Sequence, residues 1–309
     1  MHPSKFLQIT LSLAVIATSV AVGLTGCSSG GSVQTVKSEQ SVYDRVMQSG
    51  KIRCGYVVYT PGCLKDPNTG KLSGVGIDTL EMVAKNLGLK VEWTEEVGWG
   101  SMIEGLETNR YDMIATPVWT NANRARLVDF SKSLFYSPIF AYVKKGNKQL
   151  SGQHLDQMNS PKCSIATVDG ETAEIIARED YPDAKKVSLT QLSDISQLLL
   201  TVSTGKADVT FMEPSAAAAY IEHNPGAVEI LKTERPIRVF PNCWMFKRNQ
   251  MEFKNMLDTA LDQLINSGAV DKVIRKYEPA PNTLYRDALP YQVPPAAARQ
   301  AAAGAGVGK

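Results

Sequence analysis

The residues best suited to chemistry are charged side chains that follow predicted buried strands. Arg124 comes shortly after the apolar run 111–119, and Glu213 directly follows the apolar run 207–212. A guanidinium offers a planar fork of donors that matches a carboxylate, and it keeps its charge. A carboxylate complements an ammonium group by its opposite charge. Both residues are therefore candidates for binding a small charged molecule, and the alternatives are a solvated surface arginine and a glutamate at the first turn of a helix before Pro214.

Further candidate donors lie at the start of a predicted helix over residues 172–180. Gly170 stands two residues before Thr172, which begins this helix. The N-terminus of a helix exposes unpaired N–H groups and partial positive charge, which favour an anion. Thr172 suits two roles, either a hydroxyl donor to a bound carboxylate or a cap for its own helix. The pattern leaves both roles open.

Several kinds of chemistry find no support in the residues. His154 and His223 are the histidines beyond the first few residues, and neither lies in a binding motif. No cysteine–histidine spacing predicts a metal site, and no motif for an activated nucleophile appears. The charge is balanced, with 33 basic and 31 acidic residues and no block of one sign. This balance indicates no nucleic-acid partner.

The first residues predict export and attachment to a membrane. Lys5 precedes an apolar run over residues 6–22, and small residues then lead to Cys27 in the sequence LTGC. This order is typical of a secretion signal, and LTGC resembles the bacterial lipobox. The resemblance implies a signal peptide over 1–26, acylation of Cys27 and a flexible tether over 27–42. The alternative is a transmembrane anchor, because the apolar run is close to spanning length.

Four further cysteines lie within the predicted domain: Cys54, Cys63, Cys163 and Cys243. Export places them in an oxidising compartment, and their even number is typical of disulfides. Three pairings are possible, and buried free thiols are an equal alternative. The sequence does not choose among these states.

Strands and helices alternate along the chain. Strands are predicted at 51–58, 90–93, 111–116, 162–168 and 207–212. Helices are predicted at 78–88, 101–110, 172–180, 192–205 and 252–268. The longer helices are predicted from apolar residues spaced three and four positions apart. Such alternation is typical of the α/β class, in which helices cover both sides of parallel sheets.

A short internal repeat indicates two similar lobes. Arg110 and Asp112 recur as Lys206 and Asp208, each pair where a predicted helix turns into a strand. A cation near the last turn of a helix complements the helix dipole, and the strand then enters its sheet. The repeat therefore predicts the same local geometry at two places in the fold.

Two extended segments, 137–145 and 235–246, are candidates for the connections between the lobes. Two crossings make the first lobe discontinuous in sequence. The predicted domains are lobe 1 over 43–142 and 241–288, lobe 2 over 143–240, and a disordered tail over 289–309.

An ordered set of segments resembles a known family. These segments are GKIRCGYV, GKLSGVGIDTLEMVAKNLGLKVEW, GWGSMIEGLETNRYDMIAT, NRARLVDFS, VDGETAE and GKADVTFMEPSAAAAY. Over residues 43–279 the chain is similar to the bacterial extracellular solute-binding proteins of family 3, the polar amino-acid receptors of ABC importers. The resemblance implies a two-lobed periplasmic-binding-protein fold of type II, with a mostly parallel sheet in each lobe and two hinge segments. It also implies an exported monomer that delivers a small zwitterion to ABC permease subunits and needs no cofactor.

The resemblance also implies roles for single residues. Arg124, five residues before the aspartate of VDFS, would bind the carboxylate of the ligand, together with Gly170 and Thr172. Glu213, where the family usually has aspartate, would bind the ammonium group. Glu171 replaces a small residue of the family, and we expect its carboxylate to point away from the ligand. Arg126 falls off the motif and is predicted to be a surface residue.

Some positions depart from the family pattern. Val118 or Trp119 stands where the family has a hydroxyl residue, which leaves Thr116 and Thr120 as candidate donors. Val57 stands at a position that is often acidic, which argues against a strongly basic ligand side chain such as that of lysine.

Aromatic residues are the remaining candidates for the wall of the pocket. Tyr59 lies near the family's stacking position, and Trp99 is the tryptophan that we expect at the pocket. An alternative function is a periplasmic dehydratase-like enzyme on the same scaffold, with Glu213 as acid or base. The absence of other catalytic motifs favours the binding protein.

Overall fold

The computed structural model describes residues 40–288, apart from residues 191, 192 and 234. The predicted signal peptide, Cys27, the tether up to residue 39 and the tail over 289–309 lie outside the described residues. Within the described ranges, no helix has the length and the apolar character that crossing a membrane requires.

The elements are as follows. The helices are Val42–Ser49 (α1), Val75–Asn86 (α2), Met102–Glu107 (α3), Ala122–Ala125 (α4), Thr172–Asp180 (α5), Ser196–Ser203 (α6), Pro214–His223 (α7), Met251–Asn266 (α8) and Ala269–Tyr277 (α9). The strands are Lys51–Tyr56 (β1), Leu64–Lys65 (β2), Leu72–Ser73 (β3), Lys90–Glu96 (β4), Met113–Trp119 (β5), Val128–Lys144 (β6), Ser164–Val168 (β7), Lys185–Leu189 (β8), Val209–Met212 (β9), Val228–Ile230 (β10) and Arg238–Lys247 (β11).

The main sheet follows the strand order β4-β1-β5-β11-β6-β9-β7-β8, with β10 beside β6. Strand β1 is parallel to β4 and β5, and β7 is parallel to β8 and β9. Between these parallel groups run β6 and β11, which are antiparallel to each other. The predicted extended segments thus lie largely in two long strands, of which β11 pairs with β5 of the first group and β6 pairs with β9 of the second. This arrangement is the two-lobed α/β fold that the sequence predicts, with a mixed sheet.

Apolar side chains form a separate core for each lobe. One core brings Ile52 and Leu80 together with Trp244 and Phe253, which lie much further along the chain. A second core is built from residues between Ile139 and Leu231, and a smaller third cluster includes Tyr111 and Met245. The apolar face of α8, predicted from its spacing, is buried in the first core. The predicted lobe boundaries remain a prediction.

The internal repeat has the predicted geometry. Asp112 accepts a hydrogen bond from the backbone N–H of Arg53 at 2.8 Å, while its own N–H donates to the Arg53 carbonyl at 2.8 Å. Asp208 forms the same pair of bonds with Ser164, at 2.8 and 2.9 Å. Each buried or half-buried aspartate therefore ties the start of one strand to the neighbouring parallel strand.

The sequence missed some elements. Helix α2 begins at Val75 rather than at residue 78, in a glycine-rich stretch that is typical of a turn. Gly76 is needed there because a Cβ atom would lie 2.6 Å from the carbonyl oxygen of Ala115. Helix α7 begins with Pro214 at its first turn, and its alanine-rich sequence has no apolar stripe that would predict a helix.

The four core thiols, Cys54, Cys63, Cys163 and Cys243, are all free and buried in the described structure. Burial raises the pKa of Cys54 well above its ordinary value, and it raises the pKa of the other three thiols to about 11. Of the two states that the sequence left open, the structure has the free thiols.

Candidate functional site

A cavity of about 300 Å³ lies in the cleft between the lobes. Its lining residues come from strands of both lobes and from the turns near the strand ends, which is where ligands bind in open α/β sheets. They are Tyr59, Trp99, Pro117, Trp119, Arg124, Val168, Gly170, Glu171, Ser193, Ile195 and Asn242. The volume is at the lower end of the range for small-molecule sites. It therefore suits a ligand of the size of an amino acid.

Arg124 reaches this cavity from the short helix α4. The side chain of Asn121 caps that helix by accepting a hydrogen bond from the Arg124 N–H at 2.8 Å. The Nη1 atom of Arg124 donates to the carbonyl oxygen of Trp119 at 2.9 Å. Burial lowers the pKa of the guanidinium, and the negative charge of Glu171 partly opposes that shift. One edge of the guanidinium is thus fixed to β5, while the residue lines the cavity.

Arg126, two residues further on, is exposed and does not line the cavity. Its carbonyl oxygen accepts a hydrogen bond from Arg248 at 2.7 Å. The structure therefore separates the two arginines of the NRAR stretch, and it places only Arg124 at the cleft.

Aromatic rings form part of the cavity wall. Tyr59 and Trp99, both predicted for the pocket, meet edge to face with ring centroids 5.5 Å apart. Trp119 stacks on Phe240 at 4.8 Å, with the two planes only 13° apart. Trp99 is 42% exposed, so its ring remains accessible at the cleft. These rings supply apolar walls that exclude water from polar contacts.

Glu213 lies at the end of β9, and it is only 4% exposed. The hydroxyl of Tyr59 donates to its Oε1 atom at 2.5 Å, a contact between residues of different lobes. Burial raises the pKa of this carboxyl, and the hydrogen bond from Tyr59 partly opposes the rise. Glu213 is not among the described residues that line the cavity. Its carboxylate is therefore engaged by Tyr59 rather than turned towards the cavity.

The start of α5 differs from the prediction. Glu171, expected to point away, lines the cavity, and its charge acts on both Arg124 and Tyr59. Glu171 is the residue before the helix and has extended backbone, so its side chain leaves from the strand-to-helix turn at the cleft. The N–H of Gly170 also lies at this turn, but it donates to a carboxylate oxygen of Glu174 at 2.8 Å. A protein carboxylate thus already occupies this predicted anion contact.

The predicted threonine contacts are not brought to the cavity wall. Thr116, Thr120 and Thr172 are absent from the described residues that line it. The hydroxyl of Thr116 is fully buried, where it donates to the Val57 carbonyl at 2.7 Å and accepts from the Val57 N–H at 2.8 Å. Thr172 begins α5 but is not its cap residue. These placements argue against direct ligand contacts from the three hydroxyls.

Other lining residues were not predicted: Pro117, Val168, Glu171, Ser193, Ile195 and Asn242. Asn242 is the clearest omission, because its side chain is 4% exposed and donates to Ser137 Oγ at 3.0 Å. A single amide among the apolar and aromatic residues of β11 was a signal that could have found it.

Comparison with known proteins agrees with this architecture. Residues 52–280 match the family of bacterial extracellular solute-binding proteins, family 3. The L-cystine-binding protein TcyA of Bacillus subtilis is 22% identical over 273 residues, which are 86% of this chain and 96% of that protein. A probable histidine-binding protein of Campylobacter jejuni is 23% identical over 247 residues, or 79% of this chain and 91% of that protein.

A solved structure shares the fold. It is an ancestral amino acid-binding protein described as a precursor of cyclohexadienyl dehydratase. It is 27% identical in sequence with a TM-score of 0.61, and the match covers 77% of this chain and all of that one.

Proposed function

Since this chain belongs to the bacterial extracellular solute-binding proteins, family 3, we propose that it captures an amino acid or a related small zwitterion between its lobes. The observation that carries the proposal is the position of Arg124. Its guanidinium lines a cavity of amino-acid size whose other walls are mainly aromatic, apolar or neutral. A bidentate contact from this guanidinium to a ligand carboxylate is the strongest interaction that such a wall offers.

The relatives narrow the choice of ligand. The two sequence relatives named above are described as an L-cystine-binding protein and a probable histidine-binding protein, and the solved structure named above as an amino acid-binding protein. All these ligands share a carboxylate beside an ammonium group. We therefore assign the carboxylate to Arg124, and we assign the aromatic wall of Tyr59 and Trp99 to the remainder of the ligand.

The partner is an ABC permease, which takes the ligand from the cleft. Export places the protein outside the cytoplasmic membrane, with acylated Cys27 as its anchor and a monomer as the working unit. A Cys27→Ala chain should appear in the soluble fraction, while the unchanged chain stays with membranes. Retention of the Cys27→Ala chain in membranes, with its first residues uncleaved, would favour a transmembrane anchor instead.

An enzyme is the competing function, since the solved relative is described as a dehydratase precursor. The acid–base candidate would be Glu213, whose pKa burial raises. However, the Tyr59 hydroxyl occupies this carboxyl behind the cavity wall. A general acid must reach the proton that it transfers, directly or through one water. We therefore propose binding without turnover.

Calorimetry on ligand-free protein tests this proposal. The protein is unfolded, dialysed and refolded to remove carried ligand, then titrated with each of the common amino acids and with cystine. We expect at least one of them to bind at micromolar or lower Kd, and we expect its mass to be unchanged after overnight incubation. Binding of none of them, or conversion of a bound ligand, would contradict the proposal.

A further inference from the structure

Two side chains of opposite charge line the cavity. Among the described lining residues, Arg124 is the basic one and Glu171 is the acidic one. No ion pair joins these two described side chains, so their charged groups are more than 4.0 Å apart. A ligand group can therefore lie between or beside them.

We propose that Glu171 receives the ammonium group of the ligand, in place of Glu213. The inference rests on the proposed function, because it assumes a zwitterionic ligand held at Arg124. It makes Glu171 the residue that selects amino acids over acids without an amine. It also gives a role to a side chain that departs from the family pattern.

The two carboxylates differ in how accessible they are to a ligand. Glu171 is exposed at the cleft, whereas Glu213 is 4% exposed and is hydrogen-bonded to the hydroxyl of Tyr59. An ammonium group has three donors and needs an acceptor that it can reach. To reach Glu213, the ligand would have to displace Tyr59, which is itself part of the cavity wall.

The distance between the residues that bind the ligand's two charged groups is also limited. The carboxylate and the ammonium of an α-amino acid are attached to the same carbon, so their two partners must lie close together. The charge of Glu171 acts on Arg124. Glu213 instead lies outside the cavity lining and is hydrogen-bonded to Tyr59. Since Glu171 and Arg124 line the same cavity, Glu171 is the acidic residue placed to share one ligand with Arg124.

The turn that precedes α5 in the second lobe also carries negative charge. The N–H of Gly170 donates to the carboxylate of Glu174, so this anion contact is filled from within the chain. With Glu171 beside it, the start of α5 carries two carboxylates. A ligand carboxylate would be repelled here, while a ligand ammonium would be attracted. The ligand is thus oriented with its carboxylate towards α4 and its ammonium towards α5.

In this arrangement Glu213 has a different task. It fixes Tyr59 across the cleft and so shapes the wall against which the ligand packs. Its removal should change the affinity for every ligand that touches that wall. Removal of Glu171 should change only the affinity for ligands that carry the amine.

The test compares a ligand with and without its amine. The probes are the tightest amino acid found by calorimetry and the same molecule without the amine, for example L-glutamine and glutaramate. Both are titrated into the unchanged chain and into the Glu171→Gln, Glu213→Gln and Glu222→Gln variants. Glu222 is an exposed residue of α7 outside the cavity lining, so it controls for the loss of one negative charge.

We expect the Glu171→Gln variant to bind the amino acid at least about tenfold more weakly than the unchanged chain, because the ammonium loses its charged partner. Its affinity for the amine-free acid should stay the same or rise, because a repulsive carboxylate is removed. The Glu213→Gln variant should keep the ratio of the two affinities within about threefold, and Glu222→Gln should change neither. Thermal unfolding of each variant checks that the fold is intact.

The possible failures are distinct. An unchanged affinity ratio in Glu171→Gln, or a lost preference in Glu213→Gln instead, overturns the inference and returns the amine contact to Glu213. If the unchanged chain binds no amino acid, the proposed function fails, and this inference fails with it.

Discussion

Replacing Arg124 by alanine should nearly abolish ligand binding while leaving the fold intact. The side chain belongs to a four-residue helix at the cleft and packs in neither lobe core. It donates a hydrogen bond to the Trp119 carbonyl, which lies at the partly exposed end of β5. That carbonyl can bond to water once the guanidinium is gone. The unfolding free energy should therefore change little.

The loss of affinity follows from the surroundings of the guanidinium. Truncation of one partner in a buried, hydrogen-bonded charge pair costs about 2–5 kcal/mol, much of it because the other charge stays unpaired. At about 1.4 kcal/mol per decade, this is roughly 30-fold to several-thousand-fold in Kd. Arg124→Lys should recover only part of the loss, because an ammonium cannot form the planar fork.

The measurement is calorimetry with the tightest amino acid, and Arg126→Ala serves as the matched control. Arg126 is an arginine two residues away that is exposed and outside the cavity lining. Its replacement should leave Kd within about twofold, because an exposed charge away from the ligand contributes little. If Arg124→Ala binds within a few-fold of the unchanged chain while Arg126→Ala does not, the assignment of the carboxylate contact is wrong.

Three other predictions concern stability and reactivity. Burial raises the folded-state pKa of Glu213 above 4.5, so its stabilising effect is complete below that value and is lost as the pH rises through the raised pKa. Relative to Glu213→Gln, the unchanged chain should therefore lose unfolding free energy as the pH rises above 4.5 in urea titrations, and parallel curves would contradict this. The four core thiols are buried and have raised pKa values. They should therefore react with a thiol reagent far more slowly in the folded than in the unfolded Cys27→Ser chain, and equal rates would contradict this. Gly76→Ala should cost about 1–3 kcal/mol of unfolding free energy in urea titrations because a Cβ meets the Ala115 carbonyl, whereas exposed Gly70→Ala tests only the effect of a positive φ.

Much of the fold was predictable because it depends on local patterns. Helix α5 begins and ends at the predicted residues, since its cap region and apolar spacing lie within one short stretch. The pairing of Asp112 with Arg53, and of Asp208 with Ser164, follows a repeat that is visible in the sequence. Helix α7 was missed because its run of small alanines gives no apolar stripe at helical spacing, although Ala217 packs in the second core.

The candidate site, like the fold, has residues that were predicted from the sequence and residues that were not. From the sequence, the resemblance to the family predicted Arg124, Tyr59 and Trp99 for the pocket, and all three line the cavity. Only the tertiary structure shows which acidic side chain is buried against another residue and which one faces the cavity. Glu213 meets Tyr59, which is 154 positions away in the chain, and Glu171 faces the cavity beside Arg124. The charge, access and pKa of a carboxylate depend on such distant neighbours, so no local pattern can assign which carboxylate a ligand reaches.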